Sequence, residues 1–212
     1  MMSPKEVRPI YRKYLQTLLA GMAALLLATS AYAADNPINM FGGEAYVGEP
    51  DLALTAAFLR AGGGPEGFST AEALTTILGE DTVNAEVEKL TDQYGEDAVQ
   101  AFISGTDHNV QLALGHAADA GVELPEPANL EGTELAAALV QAGVTPDGTF
   151  WAGHFYDKLV SHDIHNAVMK DVNEDPELGV EADQLVHRLT NQAFYDVAQA
   201  LGQDDVKLAD LH

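Results

Sequence analysis

The sequence predicts an all-α protein made of two tandem homologous helical units, packed as one pseudo-twofold, bundle-like domain. The first observation is a repeated phrase. Leu54–Gly67 (LTAAFLRAGGGPEG) recurs as Leu135–Gly148 (LAAALVQAGVTPDG), with seven of fourteen positions identical at an offset of 81. The second is that apolar residues recur at helical spacing through most of the chain, and glycines stand where those patterns stop. The third is that no segment sustains the apolar–polar alternation of a strand.

Residues 1–33 read as a cleaved secretory leader. Lys5, Arg8, Arg12 and Lys13 precede the apolar run Leu18–Ala28, and Ala31-Tyr32-Ala33 has the form of a cleavage site. The expected location is the periplasm or the exterior. The run is short for a membrane span, so no membrane insertion is expected after cleavage. Residues 34–49 carry turn signals at Asn36-Pro37 and Gly42-Gly43 and no periodicity, which suggests an extended arm packed on the body.

The first unit, residues 50–123, opens at Pro50, a favoured first-turn residue. Leu52, Ala56 and Leu59 predict a helix stopped by Gly62. Ser69-Thr70-Ala71-Glu72 has the capping-box form and starts a second helix that ends at Gly79. Val83, Val87, Leu90 and Tyr94 form one stripe of a third helix, closed by Gly95. A fourth helix runs from about Glu96 to Ala120, with Gly105 a candidate bend. Residues 124–132 hold two prolines and form the link.

The second unit, residues 133–212, repeats the order with three helices. A short one stops at Gly143. A long one spans about Thr149–Val172, and a last one spans about Val180–Leu201. Val83/Ile164 and Val87/Val168 match at 81, and Thr106/Thr190 and Val110/Phe194 match at 84. One unit alone would leave apolar faces exposed, so the two are expected to pack together.

Composition narrows the function. The net charge of −23 and only ten basic residues, four of them in the leader, argue against nucleic acid and polyanionic ligands. The absence of cysteine excludes disulfides, thiolate metal sites and cysteine nucleophiles. No Gly-x-Ser-x-Gly elbow, phosphate loop or Glu-x-x-His pair occurs. The Asp147-Gly148 turn lacks the carboxylates of a calcium loop, with Gly143 and His154 at the end positions, and reads as a structural turn.

The residues that invite chemistry are histidines. On one long helix, His154, Asp157, His162 and His165 fall on a single polar sector. His187 and Asn191, one turn apart on the last helix, would complete a site if that helix faces it. Imidazole plus carboxylate suits a divalent transition metal, and a single histidine with Phe150, Trp151, Phe155 and Tyr156 nearby suits haem. The other account of the sector is a solvated helix face. No histidine matches a histidine in the other unit, so a site would belong to the second unit alone. His162-Asp163 resembles the doublet of the HD metal-dependent phosphohydrolases. That resemblance implies His108 or His116 upstream and Asp183 or Asp196 downstream as ligands. The residues after the doublet, Ile164-His165-Asn166, depart from that family's small residue and lysine.

These features together suggest a secreted or periplasmic acidic binding or interaction protein, non-enzymatic, with no ligand or partner named by its residues. The alternative is a metal- or haem-binding protein with a His-based site in the second unit.

Overall fold

Glycines and capping side chains cut the chain into eight helices among the residues that the computed structural model describes, which are 46, 48–175 and 179–209, with side chains described from Gln184 onward in the last helix. All of them belong to one compact unit. The predicted leader and most of the predicted arm lie outside the described residues. Helices α1 (Leu52–Ala61), α2 (Thr70–Leu78), α3 (Glu80–Tyr94) and α4 (Glu96–Asp119) stand close to where glycine stops and caps put them. Asp51 caps α1 through Leu54 N–H at 3.0 Å, and Ser69 caps α2 through Glu72 N–H. The predicted all-helical class holds. No described helix is long and apolar enough to cross a membrane.

The second half departs from expectation. After α5 (Gly132–Gly143), the single long helix foreseen over 149–172 is two helices, α6 (Ala152–Val160) and α7 (His162–Glu174). They are broken at Ser161, whose φ of 82° and ψ of 153° leave helical space. Gly79, between α2 and α3, has nearly the same dihedrals, 83° and 152°. The residues ahead of α6 are extended. Thr149–Phe150 (β1) pairs in parallel with Lys207–Leu208 (β2), which follows α8 (Gly179–Ala200). These short strands have no alternating pattern to announce them, because two residues are too few to show a period.

Several local arrangements occur once in each half. The Phe68 ring lies where a side chain on Gly62 would go, 2.5 Å from an added Cβ, and the Phe150 ring lies likewise on Gly143 at 2.2 Å. Ser69 N–H donates to Gly62 C=O at 2.9 Å, and Trp151 N–H to Gly143 C=O at 2.8 Å. Asp107 on α4 accepts from the first N–H of α2, at Thr70, and Asn191 on α8 accepts from the first N–H of α6, at Ala152, both at 2.6 Å. Thr106 and Thr190 each donate to the carbonyl four residues back. The offset across Phe68/Phe150 and Gly79/Ser161 is 82, one more than the repeated phrase shows. The second loop is one residue longer than the first.

Helix α4 continues without interruption through Gly105. That glycine admits Val186, which an added Cβ would meet at 2.7 Å, so α4 and α8 approach closely. Helix α1 is tied to the end of α6 by Asp51 N–H to Lys158 C=O at 2.8 Å and by the Thr55 hydroxyl to Leu159 C=O at 2.6 Å. The main core joins Leu54, Leu59, Ile77, Leu139, Phe150 and Phe155, and draws on both halves. Leu90, Val99, Phe102, Val186 and Leu189 form a second cluster where α3, α4 and α8 meet.

Gly143→Ala must displace the buried Phe150 ring. It is expected to lower stability by about 1–3 kcal/mol, measured by urea unfolding followed by circular dichroism.

Candidate functional site

The break at Ser161 determines where the histidines go. It turns the first two turns of α7 back toward α6, so His162 and His165 face Asp157 instead of continuing a straight stripe. Asp157 is 1% exposed. It accepts from Nδ1 of His165 at 2.6 Å, from Nδ1 of His162 at 3.0 Å and from the backbone N–H of Tyr46 at 3.1 Å. Burial acts to raise its pKa. The hydrogen bond and charge of His165, then those of His162, outweigh burial and hold the carboxyl below its ordinary range. The carboxylate is therefore ionised at neutral pH, and both imidazoles donate to it.

The other two predicted residues sit on either side of this group. His187, on α8, is buried, and its ring lies 5.9 Å from that of His165 at 21°. The Tyr156 ring packs against both, at 5.4 Å and 5.3 Å. His154 lies edge-on to the Tyr46 ring at 5.1 Å, and Lys158 covers the other contact of that ring, bonding its hydroxyl at 2.9 Å. Asp157, His162 and His165 are thus joined directly, His187 is adjacent, and His154 meets the arm. Asn191, considered with His187, spends its oxygen on capping α6. No group of three or more His, Asp or Glu among the described residues has the spacing to hold a metal ion.

The His-Asp doublet does not gather its companions. His116 pairs with Asp171 at 2.8 Å on the surface, His108 is exposed, and Asp196 is engaged by Lys89 at 2.5 Å. The side chain of Asp183 lies outside the described residues.

The larger feature was not foreseen as a set of residues. A cavity of about 390 Å³ lies at the centre of the molecule, with walls from both halves. Leu59, Ile77, Leu114, Leu139, Val168 and Phe194 represent its lining, and no described Asp, Glu, Lys or Arg contributes to it. It reaches the surface at Pro65, Ala118 and Leu124, which are exposed. Its polar groups are few. Tyr156, His165, His187 and Thr190 meet at one place, and Tyr156 Oη is 3.0 Å from Thr190 Oγ1. Thr106 and Asn109 on α4, and Thr70 on α2, also line it. Thr70 is 3% exposed, and its hydroxyl has no hydrogen-bond partner among the described residues. Such an orphaned buried hydroxyl costs about 1–3 kcal/mol. The repeated threonines at 106 and 190 were the available signal, but spacing alone does not reveal a void.

A second ionisable group lies between α3 and α8. Burial first, then a hydrogen bond and like charge from Asp196, raise the Glu86 pKa to about 7, against an opposing pull from Lys89.

Two pH effects follow. Asp157→Asn is expected to cost about 3–5 kcal/mol at pH 7. The Asp157 contribution is complete above the unfolded carboxylate value near 4 and is lost as the pH falls through the lower native value. The gap between wild type and variant in urea unfolding should therefore shrink in strong acid. Glu86 behaves oppositely, because its native value is raised. Its contribution is complete below about 4.5 and is lost as the pH rises through about 7. Wild-type stability should fall between pH 5 and pH 8, and Glu86→Gln should flatten that fall. No family model matches the chain, and neither a curated protein nor a solved structure matches it.

Proposed function

We propose that this chain is a carrier or sensor of a small, largely apolar ligand held in the central cavity. It would act as a binding protein in the periplasm or outside the cell, after loss of its leader. The observation that carries this reading is the cavity itself. Its wall is carbon-lined and opens to the surface, so when unfilled it leaves apolar side chains facing water. A bound apolar ligand covers them, and cavities of this size and lining are the usual form of a small-molecule site.

The architecture supports the same reading. We infer that the two halves descend from one four-helix unit, α1–α4 and α5–α8, related by a pseudo-twofold axis. The paired caps at Asp107 and Asn191, the paired phenylalanines on Gly62 and Gly143 and the paired breaks at Gly79 and Ser161 favour it. The cavity then lies at the seam of a duplicated fold. Such a seam offers a shared pocket that neither unit would enclose alone.

A second reading, a metal or haem site, is favoured by one arrangement. Asp157 binds Nδ1 of His165, the pattern that orients a ligating imidazole. Metal analysis and a visible spectrum of purified protein test it: stoichiometric metal or a Soret band supports it, and neither sinks it.

For the apolar-ligand reading, the test is displacement of a fluorescent apolar probe from wild type and from Ala113→Phe. Ala113 lines the cavity from the C-terminal third of α4. The variant should fold at least as stably as wild type and bind the probe at least about tenfold more weakly. Unchanged binding in a folded variant would place the probe elsewhere and count against the reading.

A further inference from the structure

The cavity has a direction, and α4 marks it. Phe102, Thr106, Val110, Leu114, Ala117 and Ala118 all line it from that one helix. From Phe102 to Ala118 the helix rises about 24 Å, at ~1.5 Å per residue. Exposure grows along the way: Phe102 and Thr106 are buried, Val110 and Leu114 are half-buried, and Ala118 is exposed. The inner end is shut. Phe102 belongs to the buried cluster with Val99, Val186 and Leu189, and Val186 sits over Gly105 where α4 and α8 cross. The outer end lies at Pro65, Ala118 and Leu124, which face water.

Between the two ends the wall keeps its polar atoms to itself. Thr106, Thr190 and Thr55 donate to backbone carbonyls. Tyr156 bonds Thr190, and Nδ1 of His165 bonds Asp157. Thr70 Oγ1 and His165 Nε2 are sealed beneath the surface of the wall. Asn109 adds one amide, half-buried on α4. No Asp, Glu, Lys or Arg among the described residues lines the space. A hydroxyl or a charge carried inward would give up its water without replacement, and that is penalised.

Volume and length together set the shape of what fits. An apolar cavity of ~150 Å³ holds one benzene, so 390 Å³ corresponds to about fifteen non-hydrogen atoms. A fused-ring body of that many atoms is compact and would leave much of the path along α4 unfilled. A single zigzag chain of them, with C–C bonds of ~1.5 Å, extends to about 18 Å and follows most of it.

We propose that the ligand is an amphiphile with one unbranched hydrocarbon chain. The chain enters methyl end first and reaches toward the crossing of α4 with α8, and the polar head stays in water beside Pro65, Ala118 and Leu124. This rests on the apolar-ligand reading above.

The experiment is isothermal titration calorimetry on the full chain, stripped by organic extraction, with 1-decanol, 5-decanol and cyclododecanol. The first two are isomers that differ in where the hydroxyl sits, and the third is at least as rich in carbon but wide. 1-Decanol should bind at least about tenfold more tightly than either. Ala113→Phe, which sets a ring across the path, should weaken 1-decanol by at least about tenfold. Equal binding of 5-decanol would overturn the placement of the head at the mouth. Equal or tighter binding of cyclododecanol would overturn the single-chain shape and leave the apolar-ligand reading standing. If none of the three binds, the apolar-ligand reading fails with it.

Discussion

Two side chains reach across the molecule and hold its interior open. Asp107 on α4 and Asn191 on α8 each accept the first backbone N–H of a nine-residue helix, α2 and α6. Helices this short are marginal on their own, and an N-terminus without a partner leaves donors unsatisfied. The two caps therefore do more than stabilise ends. They place α2 and α6 at fixed points along the two longest helices. The space between α1, α2, α5, α6, α7 and the crossing of α4 with α8 becomes a cavity instead of a collapsed core. Gly105 makes the crossing close, and the phenylalanines seated on Gly62 and Gly143 seal the loops that lead into the capped helices.

The Asp157 group plays a related part on the second half alone. A buried carboxylate with three donors joins the residue Tyr46, α6 and α7 in one hydrogen-bonded knot. Through His165 it also sets the position of the aromatic and imidazole rings that flank the cavity. The corresponding stretch of the first half has no carboxylate–histidine group, and its α2–α3 junction turns on a glycine instead. The asymmetry is what makes the second half a candidate for chemistry, and the geometry uses it to orient rings against the cavity wall.

Much of the fold was legible in the residues. Gly62, Gly79, Gly95 and Gly143 end helices as their positions imply, and Ser69 caps α2. The break at Ser161 was hidden because serine with positive φ carries no such signature. A continuous polar stripe from His154 to His165 reads as one helix when only periodicity is considered. Aligning the halves at an offset of 82 would have set Ser161 opposite Gly79 and exposed the break, but the repeated phrase ends before the extra residue enters. Of the site, Asp157, His162 and His165 were readable only as members of one polar sector of a single helix, not as a hydrogen-bonded knot across a break. A binding protein of two units implies an exposed apolar patch or a cavity at their seam, but the residues that line it were not readable. Val110, Leu114 and Phe194 look the same in sequence whether they touch each other or line a space, and the unpaired hydroxyl of Thr70 exists only once the helices are packed.

The central claim is that the interior is a ligand site. Native mass spectrometry of the chain purified from its own compartment tests it most directly. The expected result is a non-covalent adduct that organic extraction removes, with the stripped protein less stable in urea and restored by an apolar compound. A bare chain mass, together with no stabilisation by any apolar compound at saturating concentration, would contradict it.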